Sequence, residues 1–183
     1  MLVKGAVIKP MARFVKERYG AYHEAWLSSL SEETRTVLEH GIVSSWYPIE
    51  RAMIEPTEVL CGLVEDPADD VAWDLGRFSA DFALRGIFRI FVRLGSPGFI
   101  IKRASHVFST YYTDAVLHIH ESGSRHATVY LLGFPEPNRL VERRIGGYME
   151  RAVEISGARD VKSSVVTSLA AGDERGEFRY TWR

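Results

Sequence analysis

At 183 residues, the chain has the length of one domain that can bury a sizeable core without disulfides. Its net charge of −1 excludes an overall pull toward nucleic acid or anionic lipid, and its one cysteine, Cys61, excludes an internal disulfide or a multi-cysteine zinc or iron–sulfur centre. No apolar run approaches the roughly 20 residues that cross a bilayer, and the longest, Phe82 to Leu94, carries Arg85, Arg89 and Arg93.

The opening segment, Met1 to Phe14, is broken by Lys4, Lys9, Pro10 and Arg13, unlike a signal peptide. With the lone cysteine, this points to a cytoplasmic setting without membrane insertion. Helical spacing of Phe14, Val15 and Arg18 predicts a helix from Ile8 to Tyr19, with Gly20 placed for a left-handed C-terminal residue. A second helix, His23 to Leu30, puts Trp26, Leu27 and Leu30 on one side. Ser31 reads as the N-cap of a third, with Glu32 and Glu33 in its first turn, ending near Gly41. Pro48, after Trp46-Tyr47, has the character of a first helical position, and Pro56 should break or restart that helix. Asp66-Pro67 makes another turn and start, with Asp69 and Asp70 opening the next helix.

From Val71 to Leu94 the pattern is nearly continuous helix, with Leu84, Ile87, Phe88, Phe91 and Leu94 on a core-facing stripe and Gly76 and Gly86 as weak points. Ser96-Pro97 is an N-cap and first-turn pair. It starts a helix in which Ile100, Ile101, Ala104, Val107, Phe108 and Tyr111 turn inward. Leu117 and Ile119 then alternate with His118 and His120, Ser122-Gly123-Ser124 turns, and Thr128 to Leu132 returns. A helix from Asn138 to Ser156 buries Val141, Ile145, Tyr148, Met149 and Ala152 and ends near Gly157. Val161 to Leu169 alternates, Gly172-Asp173 turns, and Phe178, Tyr180 and Trp182 share one face of the last strand. The order describes a single α+β domain over 1–183. Residues 1–112 are mainly helical, and 113–183 form a ββαββ unit with four antiparallel strands covered by helices on one face. A Rossmann fold, a TIM barrel and a repeat array are excluded by the same order.

Few residues suggest chemistry. His118 and His120 share a sheet face, with His126 across the hairpin, but no carboxylate or cysteine completes a metal set because Glu121 should point the other way. No metal ligand is therefore assigned. Asp81, Arg85, Arg89 and Arg93 recur every fourth residue and read as a solvated helix face or a surface for an acidic partner. There is no Gly-x-Ser-x-Gly elbow, Cys–His pair, phosphate loop or carboxylate dyad, so no catalytic residue is assigned. Cys61 lies among Val59, Leu60, Leu63 and Val64, where an apolar setting raises its pKa and leaves it inert. The aromatic surplus is the remaining signal. Trp46, Tyr47, Phe88, Phe91, Phe108, Tyr111, Tyr112 and Phe134 would line an apolar ligand pocket between helices and sheet, the two adjacent tyrosines supplying its polar contacts.

The run Val3-Lys4-Gly5, Phe14-Val15, Tyr19-Gly20 and Trp26 resembles the opening of haem–nitric oxide/oxygen-binding domains. A resemblance covering nearly the whole chain rests on several further runs. These are Trp46-Tyr47-Pro48, Leu75-Gly76-Arg77, Arg85-Gly86-Ile87, Leu94-Gly95-Ser96-Pro97, Tyr111-Tyr112, Gly133-Phe134-Pro135, Ile145-Gly146-Gly147-Tyr148 and Gly157-Ala158-Arg159-Asp160-Val161. Together they look like an uncharacterised bacterial family grouped with 4-vinyl reductase ligand-binding domains and TRAPP tethering subunits. The resemblance implies an α+β domain that holds a small apolar ligand, or keeps a vestigial pocket, and pairs with a copy of itself or a related protein. It does not imply haem. The haem-binding relatives use a histidine on a mid-chain helix and a Tyr-x-Ser-x-Arg clamp, and here only His106 stands on a suitable helix, while Tyr180-Thr181-Trp182-Arg183 is not that clamp. Relatives also place two cysteines near the final turn, where this chain has Ser168 and Gly176.

The expectation is thus a non-enzymatic small-molecule-binding or signalling domain. It has no cofactor and no nucleic-acid partner, and a homodimer or related protein is its partner. The alternative is a protein-interaction scaffold with a filled core that uses the Arg85/Arg89/Arg93 face. A reductase-like enzyme ranks third, because neither an acid–base pair nor a cofactor fingerprint supports it.

Overall fold

The computed structural model describes residues 1–84 and 96–183, and within these the helical half and the ββαββ half take the predicted order. Strand β1 (Leu2–Lys4) pairs antiparallel with β2 (Trp46–Pro48), Val3 opposite Tyr47. Pro48 therefore ends a strand instead of opening a helix. The Trp-Tyr pair favours extended backbone, and a proline is tolerated at a short strand's edge. Val3 also bridges Tyr112 on its other side, and Thr113 exchanges backbone and hydroxyl hydrogen bonds with Leu2. The N-terminus is so tied to the point where the helical half hands over to the sheet.

Helix α1 (Lys9–Arg18) buries Met11, Phe14 and Val15. Gly20 is not left-handed. It begins a 3-10 turn (Gly20–Tyr22) that leads directly into α2 (His23–Ser29), so the chain needs no reversal there. On α2, Trp26 is wholly buried and its indole N–H donates to the Pro56 carbonyl at 2.9 Å. Helix α3 (Glu32–His40) is capped by Ser31 as the sequence predicts, the hydroxyl accepting from the Thr34 N–H. Next comes a π-helical turn (Glu50–Ile54) that runs into α4 (Glu55–Leu63), with Pro56 in the first turn of α4. Pro56 has no N–H for an ordinary helical bond and its ring crowds the carbonyl four residues back, which the wider π turn relieves.

Helices α5 (Ala68–Ala83), α6 (Pro97–Tyr111) and α7 (Arg139–Ile155) complete the seven α-helices among the described residues. The continuation of the predicted long helix beyond Leu84, with Ile87, Phe88, Phe91 and the Arg85/Arg89/Arg93 face, lies outside the described residues. Ser96 caps α6 and Asn138 caps α7 through their side-chain oxygens. On α6, Ile101 and Phe108 are buried, but Val107 is 42% exposed, a departure from its predicted inward place. A helical stripe cannot hold both Phe108 and the residue before it at its centre, since neighbours lie about 100° apart, and the larger ring takes the core.

Strands β3 (Val116–Ser122), β4 (His126–Leu132), β5 (Lys162–Thr167) and β6 (Gly176–Thr181) form one antiparallel sheet in the order β3-β4-β6-β5. Its inner face carries Leu117, Val129, Leu131, Phe178 and Tyr180, all buried, and the Tyr180 hydroxyl donates to the Gly146 carbonyl of α7. A bulge between Ile119 and Glu121 shifts the register and brings Glu121 to His126, Oε1 to Nε2 at 3.1 Å, against the expectation that it points away. Helix α7 is clasped between this sheet and α5. Asp69 of α5 meets Arg139 and Arg143 at one end, Asp81 meets Arg151 at the other, and Arg77 pairs with Glu150 and Glu154. Between these pairs the helices touch backbone to backbone at Gly76 and Gly147. No helix among the described residues is long and apolar enough to cross a membrane.

Candidate functional site

Polar groups from three helices meet in the interior where the helical half joins the sheet. The π turn presents the Met53 carbonyl, and Thr57, one turn on, donates its hydroxyl to it at 2.5 Å. From α7, Arg144 donates through Nη1 to Thr57 Oγ1 at 2.8 Å and to the same carbonyl at 3.4 Å. The Tyr112 hydroxyl, just past α6, donates to Met53 Sδ at 3.7 Å. Arg144 is 3% exposed and Thr57 wholly buried.

Burial sets the electrostatics. It pulls Arg144 down to about 10, and Tyr112 and Cys61, the ionisable groups beside it, offset this only in part. Burial pushes Tyr112 up to about 12 and Cys61 up to about 11, Arg144 opposing both. One turn along α7 from Arg144, burial and then the neighbouring Tyr111 and Tyr112 push the Tyr148 hydroxyl up. The set therefore holds one cation and several neutral hydroxyls at neutral pH. Nothing in it is poised for acid–base catalysis, which needs a group titrating near the working pH. The Cys61 thiol donates to the Ala68 carbonyl. A thiol at about 11 in place of the usual 9 holds roughly 100-fold less thiolate at pH 8. Folded protein should accordingly react with a thiol-exchange reagent roughly 100-fold slower than urea-unfolded protein. Comparable rates would refute the inert assignment.

The predicted aromatic set is only partly brought together. Phe108 stacks on Tyr112 with ring centroids 4.3 Å apart, and Tyr111 and Tyr112 both neighbour Tyr148. Phe134 is buried in the same hydrophobic core. Trp46 is not part of the group. It is 39% exposed on β2, with the Lys4 ammonium over its ring at 4.5 Å. Tyr47 turns its hydroxyl to accept from the Ile42 N–H at 2.7 Å. Phe88 and Phe91 lie outside the described residues. Among the described residues no three His, Cys, Asp or Glu side chains gather to hold a metal. His118 and His120 stand exposed on the outer sheet face, where His120 stacks on Tyr130 and the Arg175 guanidinium lies against the same ring.

A surface hollow of about 620 Å³ opens where the ends of α1 and α5 meet α7, lined in part by Phe78, Leu84, Arg151 and Ile155. On α7, Arg144, Tyr148, Arg151 and Ile155 fall on one stripe at steps of four, three and four residues. The buried cation and the hollow thus lie along one face of the same helix.

No family model and no curated protein matches the sequence. Solved structures do. An H-NOX protein from S. oneidensis, in the Fe(II)NO ligation state, superposes with a TM-score of 0.74 at 12% identity, over 98% of this chain and 99% of that one. The unliganded Fe(II) H-NOX protein from K. algicida gives 0.72 at 12% identity, over 98% and 96% of the two chains. An H-NOX mutant from T. tengcongensis gives 0.74 at 11%, over 98% and 97%. The chain therefore has the α+β fold of the H-NOX domains along nearly its whole length.

Proposed function

We propose that this chain is a small-molecule-binding sensor or signalling domain that operates without haem. Its H-NOX fold supports the first half of the reading, because structural neighbours in that fold are described with bound iron or haem. The second half is carried by one observation: none of the six histidines is buried. His106, on α6, is exposed, as are His40, His118, His120 and His126, while His23 is half-buried beside Trp26. No Tyr-x-Ser-x-Arg run occurs in the sequence. Helices α5 and α7 approach at Gly76 and Gly147 until their backbones touch, which leaves no slot for a porphyrin between them. The residues present thus do not fit a histidine-bound haem.

The binding region on this reading is the interior around Phe108, Tyr111, Tyr112, Tyr148 and Arg144, with Phe134 in the surrounding core. A protein partner, either a second copy or a related chain, receives the signal, and the setting is cytoplasmic. Native mass spectrometry and absorbance of protein purified from cells test the proposal. The expected result is a bound small molecule with no porphyrin Soret band. Stoichiometric haem would overturn the haem-free reading, and protein that carries no ligand and gains no thermal stability from a metabolite library would overturn the sensor reading.

A further inference from the structure

We propose that Arg144 anchors the oxyanion head of an otherwise apolar small molecule, whose body lies against Phe108, Tyr112 and Tyr148. The inference rests on the ligand-binding reading above and names the chemical class of the ligand. A guanidinium that is 3% exposed is one of the least favourable groups to bury without a counter-charge. Here no carboxylate supplies one. Among the described residues Arg144 bonds only to a hydroxyl and a carbonyl, both through Nη1, and its ionisable neighbours are a tyrosine and a thiol that are neutral at pH 7. The segment 85–95 contains no Asp or Glu that could serve instead. Every other cation on α7 has its acid: Arg139 and Arg143 share Asp69, and Arg151 has Asp81 and Glu154. Arg144 alone on that helix is left for an external anion.

The geometry suits such a ligand. Thr57 and Met53 hold Nη1 in place, so the planar fork is already oriented and an oxyanion could accept from the remaining Nε and Nη2, which have no acceptor among the described residues. Tyr112, which neighbours Arg144 and stacks on Phe108, and the half-buried Tyr148, one turn along α7, supply ring contact beside the guanidinium.

Two dyes with the same aromatic body separate the head from the tail: 1-anilinonaphthalene-8-sulfonate carries an anion, and N-phenyl-1-naphthylamine lacks it. Fluorescence titrations of the full chain should give a Kd for the sulfonate about tenfold or more below that of the neutral dye. Arg144→Met should bring the ratio near one, and Arg144→Lys should restore part of it. Arg144→Met should also melt no lower than wild type without ligand, because methionine removes a buried uncompensated charge. A residue that served only to brace the π turn would instead lower the midpoint and leave the dye ratio unchanged, which would overturn the proposal. Equal binding of both dyes to wild type would overturn the anion anchor and leave the ligand-binding reading standing, whereas binding of neither would overturn both. Should Arg144→Met not fold, the wild-type ratio decides alone.

Discussion

Gly76→Ala should lower the thermal midpoint by about 6–12 °C, the equivalent of ~3 kcal/mol from overpacking in a chain of this length. Helix propensity alone argues for the opposite sign, since alanine is favoured over glycine within a helix by about 1 kcal/mol. Sterics decide the outcome. A Cβ at position 76 would sit 2.1 Å from the Arg144 carbonyl oxygen and 2.9 Å from the Tyr148 nitrogen. Both are backbone atoms of α7, and neither can swing aside as a side chain would. The same holds for Gly147, whose Cβ would meet the Trp73 carbonyl oxygen at 2.2 Å. Gly62, on α4, supplies the control, because nothing lies within 4 Å of its Cβ position. Gly62→Ala should raise stability by about 0.5–1 kcal/mol. Circular-dichroism melts of the two variants should therefore move in opposite directions. A rise in both would show that α5 and α7 are not in backbone contact.

That contact was hidden in the sequence. Gly76 reads as a weak point in a helix, and only the neighbouring helix explains why no Cβ is tolerated there. Features whose cause is local were legible. Ser31 and Ser96 announce helix starts because a short oxygen side chain reaches the free N–H groups of the first turn. The alternation of Leu117 and Ile119 with His118 and His120 announces a sheet with one covered face. Pro48 misled for the converse reason. Its partner across the ladder is Leu2, dozens of residues away, and no local pattern records that pairing.

The site was legible only in outline. Tyr111, Tyr112 and Phe108 stand out as aromatics at a junction, and they do meet α7 in the interior. Trp46 carries the same chemical signature yet faces solvent, because strand pairing fixes which side of β2 it occupies. Arg144 was available to a stricter reading. It lies three residues after Val141 and four before Tyr148, inside the very stripe assigned to the core. A charge in that stripe is the informative exception. Met53 and Thr57 gave no comparable signal, since their role arises from the π turn that Pro56 imposes.

Removing the charge of Glu55 should cost about 2 kcal/mol at neutral pH, in line with the loss of charge-assisted hydrogen bonds, and the cost should vanish in acid. Glu55, the first residue of α4, accepts from the Ser31 N–H at 2.6 Å, the Ser31 hydroxyl at 3.0 Å, the Thr34 hydroxyl and the Arg51 guanidinium. One carboxylate thus ties the cap of α3 to the start of α4. Burial pushes its pKa up, but the bonds from Thr34, the Ser31 N–H, Arg51 and the Ser31 hydroxyl outweigh this and hold it at about 2 instead of 4.5. A depressed folded-state value means the stabilisation is complete above about 4.5 and disappears as the pH falls through about 2. Urea unfolding of wild type and Glu55→Gln at steps from pH 7 to pH 2 measures this directly. The stability gap between the two should be constant down to about pH 5 and then close, because glutamine keeps the shape but cannot lose a charge it lacks. A gap that stays level to pH 2 would mean the α3–α4 tie does not depend on the ionised carboxylate.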